Sequence, residues 1–464
     1  MRRKAIHKSI NKMPRPVQRM LKGAAQLLPN RLLYGRRYLE AREFLRESQW
    51  WSTADLRNYQ EDKLRELIRH AYENVPYYRD LFNDRGLRPD DVRTVEDLKK
   101  LPFLTKDKIR ENYDRLKAQN IPESDRVVSH TSGSTGQPFE FEETADATSL
   151  ERAFMNRVFS AHDTDVYHDK TVWLRSYSPD QGDPIYRYDP HVASLYLSPF
   201  HISRERIPEY VRHINDYGAD TLVGYPSSIY IFATLLEKTD YQLQHVRAVH
   251  TGSEQLIDEW RDRIESVLGV PVYDHYGMAE KVGLFHQCPE SSAYHENLEY
   301  GVVEIADPQN GTGEVVGTSL FNYAMPLIRY RMGDRATLHR GDTACPCGRG
   351  LPLTIETFEG RTDDLLQTPD GRILPGVNFY TLMYSVEGVD MFKIVQDVVN
   401  EVNVRVVVGN EFSAEQRQQL TAGLRNRLGE EISINLRVVN SIERDESTGK
   451  IRCIESNIDD ENEH

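Results

Sequence analysis

Apolar side chains recur at helical spacing through Leu56, Tyr59, Leu64, Leu67, Ile68 and Ala71. That period predicts a helix within 54–82 whose run ends at Val75-Pro76-Tyr77-Tyr78. A second, shorter helical region is expected over 95–118, entered through Leu104-Thr105-Lys106 with Thr105 as its cap. From about 127 to 330 short apolar runs alternate with helical patterns. The strand candidates are Thr171–Leu174, Thr221–Gly224, Arg247–His250 and Val270–Tyr273. Alternation of this kind predicts an α/β domain with a largely parallel sheet. Ligands in such sheets bind outside the carboxyl ends of the strands, where the loops Gly224–Ser228 and Thr251–Glu254 fall. Residues 301–338 turn β-rich, with glycine turns. Beyond 359–364 the pattern changes again, to strands at Lys393–Val395, Val402–Val408 and Asn435–Val439 around a helix Ala414–Leu428. The expected organisation is a basic extension (1–45), a large α/β domain of mixed and parallel sheets with a β-rich subdomain (46–359), a hinge (360–364) and a small, mobile α+β domain (365–464).

Charge narrows the partners. Over 464 residues the formal net charge is −14, which argues against a nucleic-acid binder. No run approaches the roughly 20 apolar residues that span a bilayer. The first 37 residues nevertheless contain no Asp or Glu and many Arg and Lys. Ile6, Ile10, Met13, Val17, Met20 and Leu21 line one face of a basic helix interrupted by Pro14 and Pro16. Such a face suits a membrane-surface contact or docking on the protein itself. It lacks the apolar core and cleavage site of a signal peptide, and a cytoplasmic location is expected. The oligomeric state stays open, a homodimer included.

Five segments carry candidate chemistry. In Thr131-Ser-Gly-Ser-Thr-Gly-Gln-Pro138 two glycines are interleaved with hydroxyls. Glycines allow a backbone to approach a ligand closely, and successive N–H groups with Ser/Thr hydroxyls wrap a phosphate. A polar hairpin turn has the same composition, and no Gly-Lys-Ser/Thr closes the segment as in a nucleotide P-loop. In Tyr273–Glu280, Tyr276 suits stacking on a purine and Glu280 suits Mg²⁺; the alternative is a capped helix start with a surface acid. In Arg329–Asp334, Asp334 can accept two ribose hydroxyls and Arg331 can neutralise phosphate, or the segment is a turn with a local salt bridge. Gly360-Arg-Thr-Asp-Asp364 sits at a composition boundary, as a hinge or a plain linker would. Lys450 lies in a Gly-Lys turn, which can carry a cation into a neighbouring site or stand exposed.

In this order and at these separations, the five resemble the adenylate-forming superfamily that includes acyl-CoA synthetases. With Leu67–Arg79 and Leu101–Lys106, the chain is most similar to the phenylacetate–CoA ligase branch and its relatives from capsule and exopolysaccharide clusters. The resemblance spans the chain after about residue 40. It implies that a carboxylate attacks the α-phosphate of ATP to give acyl-AMP and pyrophosphate, and that a thiol, usually coenzyme A, then displaces AMP. It implies further that Ser132, Gly133, Ser134, Thr135 and Gly136 form the phosphate loop and Glu280 the Mg²⁺ ligand. Tyr276 and Gly277, with Ser253 and Glu254, would wall the adenine, and Asp334 would anchor the ribose. Arg331 and Arg361 would sit near phosphates or ribose, Asp363 at the hinge, and Lys450 would swing in for adenylation, so that Lys450, Glu280 and Thr135 are the catalytic set. The acid pocket would be walled by Trp173, Tyr225, Pro226, Ser227, Ser228, His250 and Met278. Phe139 stands where many relatives carry lysine, and Ala279 lacks the usual hydroxyl before the glutamate.

Four cysteines in this length make no disulfide framework. Cys288, His295, Cys345 and Cys347 form a Cys₃His set suited to a structural Zn²⁺, with His286 as the competing nitrogen and unpaired reduced thiols as the alternative. Cys345-Pro-Cys347-Gly348 is the specific part, and Cys288 with His295 resembles zinc-binding members of the branch. The expected function is therefore an ATP-dependent ligase joining a small carboxylic acid to coenzyme A. Acyl transfer to an amine or hydroxyl, as in polysaccharide synthesis, and a non-catalytic nucleotide-binding protein are the rival readings.

Overall fold

The computed structural model describes residues 35–131, 139–165, 169–179, 183–189, 194–341, 345–359, 365–375, 377–409, 411–442 and 453–458. Helices α1 (Arg36–Ser48), α2 (Thr53–Asn74) and α3 (Pro76–Asp84) open the described chain. Ser52 caps α2 by accepting from the Asp55 amide, and α2 buries Leu56, Leu64, Leu67, Ile68 and Ala71. These are the positions the periodicity marks. Pro76 ends that run because it has no N–H to donate, and it becomes the first residue of α3. Thr105 accepts from the Lys108 amide and caps α4 (Lys106–Glu111), as its sequence predicts.

An antiparallel hairpin of β1 (Arg126–Thr131) and β2 (Phe139–Thr144) follows and forms a two-stranded sheet of its own. Helix α5 (Ala145–Ser160) runs directly out of it. The chain then builds β3 (Thr171–Leu174), β4 (Tyr186–Asp189), β5 (Ser194–Leu197), α6 (Ile207–Tyr217), β6 (Thr221–Gly224), α7 (Pro226–Glu237), β7 (Ala248–Gly252), α8 (Asp258–Leu268) and β8 (Val272–Gly277). The antiparallel part comprises β9 (Leu284–Gln287), β10 (Tyr294–Glu296), β11 (Gly301–Gln309), β12 (Thr312–Ser319), β13 (Tyr330–Leu338) and β14 (Leu353–Glu359).

The β-rich region continues the sheet of the parallel strands. Strands β3 to β14 make one twelve-stranded sheet, ordered β11-β12-β13-β14-β10-β9-β8-β7-β6-β3-β5-β4. The physical reason is the pairing of β9 on β8, which turns the sheet from parallel to antiparallel at that edge. Apolar cores lie on both halves: one under α2 and α3 against the antiparallel strands, the other under α6 to α8 against the parallel ones. Between them Arg157 of α5 donates to Glu299 at 2.7 Å and to Asn297, and Ser48 of α1 donates to the same Glu299.

The last described part comprises β15 (Leu365–Gln367), β16 (Ile373–Pro375), α9 (Val377–Ser385), β17 (Val389–Val398), β18 (Glu401–Val408), α10 (Ala414–Leu428), β19 (Ser433–Val438) and β20 (Ile454–Ser456). Its sheet runs β19-β18-β17-β20, and its core draws on residues from Leu366 to Ile454. Arg372 donates to the Arg427 and Leu428 carbonyls of α10 within this part and joins it to the large one through the Phe200 carbonyl just after β5. Asn426 adds a bond to the Pro179 carbonyl. Among the described residues no helix is long and apolar enough to cross a membrane.

Candidate active site and a cysteine–histidine cluster

The carboxyl ends of β3, β6, β7 and β8 lie side by side, and the predicted loops meet there. Tyr225 leaves β6 and Pro226 starts α7. Glu254, from the loop after β7, accepts from both the amide and the hydroxyl of Ser227, at 3.2 and 2.5 Å. A carboxylate in that place answers the orphan N–H groups and the positive end of α7. Ser253 beside it is exposed and holds a left-handed backbone, φ 73°. Ser176, after β3, does likewise at φ 56° and bonds the Tyr225 hydroxyl at 2.9 Å. Non-glycine residues in this region cost backbone energy and concentrate at functional loops. His250 is fully buried behind them, edge-on to Phe159 and bonded to Thr164. Burial holds its imidazole neutral.

A second group gathers past β8. Tyr276 donates to Asp334 at 2.7 Å, and its ring stacks on Phe358 with centroids 3.9 Å apart. Glu280 is buried, accepts from the Tyr330 hydroxyl at 2.9 Å, and has its carboxyl pushed above the usual range by burial. The charge of Lys106 opposes that rise. Lys106 reaches the site because Leu104 bonds to the edge of β13, its amide to the Arg329 carbonyl and its carbonyl to the Arg331 amide. Met278 packs partly buried on the core beside Tyr276. The structure thus brings Tyr276, Asp334 and Glu280 together. Arg331 is not among them: it pairs with Glu314 on β12. Ser132, Gly133, Ser134, Thr135, Gly136, Arg361, Asp363 and Lys450 lie outside the described residues.

The cysteines form a separate cluster. The ligand atoms of Cys288, His295, Cys345 and Cys347 all lie within 4.8 Å of one another. Cys288 and Cys345 sulfurs are 2.9 Å apart, and Cys347 sulfur is 3.3 Å from His295 Nε2. His295 Nδ1 donates to the Leu351 carbonyl at 2.7 Å. That bond fixes the tautomer and leaves the Nε2 lone pair facing the sulfurs, as a zinc-ligating histidine requires. Burial pushes His295 down to about 4, so the ring stays neutral at pH 7. His286 stands outside the set, with Nδ1 on the Asn297 amide. The donor set and its geometry fit a structural Zn²⁺.

Tyr330, Phe358 and Lys106 are the site residues that sequence reasoning passes over. Lys106 and Tyr330 had a signal, since Leu101–Lys106 and Arg329–Asp334 are segments of the resemblance.

Comparison with known proteins places the chain in a family. The family model described as the CapK C-terminal domain matches residues 366–457. Protein CapK of Staphylococcus aureus is 26% identical over 418 residues, covering 88% of this chain and 90% of that protein. The crystal structure of 2-hydroxyisobutyryl-CoA ligase in the postadenylation state has the same fold, with a TM-score of 0.55 at 19% identity over 89% of this chain and 91% of that one. Phenylacetate–coenzyme A ligase of Pseudomonas putida is 31% identical over 338 residues, 70% of this chain and 73% of the enzyme. The chain therefore belongs to the phenylacetate–CoA ligase family of AMP-forming, adenylate-forming ligases.

Proposed function

We propose that the protein activates a small carboxylic acid as acyl-AMP and passes the acyl group to coenzyme A. A carboxylate oxygen of the acid attacks the α-phosphorus of ATP. The bond to the bridging oxygen breaks, and pyrophosphate leaves with its electron pair. Thiolate attack on the acyl carbon then forms the thioester and releases AMP. The observation that carries this reading is the convergence of Tyr276–Asp334 and Tyr330–Glu280 at one sheet edge. Asp334 offers a carboxylate to two ribose hydroxyls, and the Tyr276 hydroxyl holds it in place. Tyr330 holds the Glu280 carboxylate, which suits Mg²⁺; when bound, that ion supplies positive charge against the phosphates. Ser227 and Glu254 brace the wall between acid and nucleotide. The Ser132–Gly136 loop, Arg361 and Lys450 complete the phosphate site by resemblance, with Asp363 as the pivot of a small domain that begins at 365. Cys288, His295, Cys345 and Cys347 would hold a structural Zn²⁺.

Pyrophosphate release across a panel of acids, beginning with phenylacetate, tests the first step. We expect release with at least one acid and its loss in Lys450→Ala. No release with any acid would leave a nucleotide-binding protein without chemistry. Thioester formation on adding coenzyme A is expected; AMP release that needs an amine or hydroxyl acceptor instead would overturn the second step.

A further inference from the structure

Lys281 follows Glu280 directly and is built unlike a surface lysine. Its backbone is left-handed, φ 56°, and its amide closes a turn onto the Met278 carbonyl. Its side chain is only 11% exposed and meets the carboxylate of Glu143, 5% exposed, at 2.7 Å. The ammonium also lies 5.7 Å from the Phe141 ring centroid. Phe141 and Glu143 are alternate residues of β2, so both contacts reach one face of the hairpin. Glu143 is held from the other strand too, accepting from Ser129 of β1 at 2.6 Å.

Among the described residues the hairpin has no ladder bonds to the large sheet. Side chains must therefore fix it relative to the Glu280 turn. Lys281 also stands beside two buried carboxylates, Glu143 and Glu280 next to it in the chain, and near the partly buried Glu151 of α5, which takes a bond from Tyr300 and feels the charge of both Lys281 and Glu143. An unpaired carboxylate in such a place is strongly destabilising, so the lysine is tied to this spot by charge as well as by geometry.

Resting on the ligase reading above, we propose that Lys281 is a positioning residue. Its buried bridge to Glu143 sets the Glu280 carboxylate at a fixed offset from the β1–β2 hairpin, and so sets where a divalent cation on Glu280 meets ATP phosphate. The left-handed turn at Lys281 is the means. It reverses the chain immediately after Glu280 and sends the next side chain back to β2.

Titration calorimetry of the full chain with ATP, with and without Mg²⁺, tests this without knowledge of the acid. For Lys281→Met we expect affinity for Mg·ATP to fall about tenfold, the usual scale for a lost support of a metal ligand, while affinity for metal-free ATP changes less than about twofold. Lys281→Arg, which keeps the bridge, should stay within about threefold of the unaltered protein. The double variant Glu143→Leu/Lys281→Met removes both charges and should recover thermal stability without recovering the Mg²⁺-dependent gain. Recovery of that gain in the double variant, or unchanged Mg·ATP affinity in Lys281→Met, overturns the proposal. If the unaltered protein binds no ATP, the ligase reading fails instead.

Discussion

Tyr276 acts through two parts of one side chain: the ring lies flat on Phe358 and the hydroxyl holds Asp334. A bond to a charged group is worth about 1.5–3 kcal/mol. Tyr276→Phe keeps the stack and removes only the bond, so KM for ATP should rise roughly tenfold while KM for the acid stays unchanged. Steady-state kinetics in both substrates checks this. Glu151 gives a pH prediction. Burial pushes its carboxyl up to about 7, above the roughly 4.3 expected unfolded. The folded state therefore binds the extra proton between those values, and stability is greatest below the unfolded value and falls as pH rises through the window. For a partly buried group such as this the loss is at most about 3 kcal/mol. Thermal melts at pH 5 and pH 8 should show it, and Glu151→Gln should flatten the difference. At this scale the sequence exposes residues that sit inside a motif, such as Glu280, Tyr276 and Asp334. It hides Phe358 and Lys281, whose importance comes from cross-strand packing and from a turn that returns a side chain to β2, and it gives Tyr330, inside the Arg329–Asp334 motif, no role of its own.

Among the elements, the cysteine–histidine cluster does more than join two loops. Beyond Cys347, Arg349 lies 5.2 Å from the Trp50 ring centroid and donates to Gln49. The Gly350 amide donates to the Gln49 carbonyl, and Thr53 donates to the Gly350 carbonyl. A Cβ on Gly350 would stand 1.6 Å from the Trp51 carbonyl oxygen. The loop is thus pressed onto the corner between α1 and α2. Elemental analysis should find one zinc per chain. Its removal by chelation, or Cys345→Ser, should lower the melting temperature and change the fluorescence of Trp50 and Trp51. Arg157 and Glu299, with side chains 2% and 1% exposed, tie α5 to the loop before β11. Removing one partner strands a buried charge, so Arg157→Met should cost about 3–5 kcal/mol in denaturant unfolding. The periodic run of α2 is legible in the sequence. Helix α9 is not, because Val377–Ser385 spans only nine residues, too few for a period to stand out.

For the whole molecule, the alternation of strands and helices foretells the parallel half, and the glycine-punctuated runs foretell the antiparallel one. Their union in a single sheet is decided by one pairing, β9 on β8, that no local pattern announces. The small domain leans on the large sheet through Arg372 and Asn426. Arg372 also answers the carbonyls at the end of α10, so Arg372→Met should loosen the docking and fray that helix together. Hydrogen exchange should then quicken at the C-terminal turn of α10.

The seam between β8 and β9 has a consequence for change in this enzyme. On the proposed reading, the walls facing the acid hang from the parallel strands, whereas Asp334, Tyr330 and Phe358 belong to the antiparallel ones. The segment from Tyr276, on β8, to Lys281 crosses from one to the other. Drift or engineering in the loop after β3 can therefore retune which acid is accepted while leaving the handling of ATP as it was, whereas the loop after β6 also carries Ser227, which holds Glu254. A change in the crossing turn would disturb both at once.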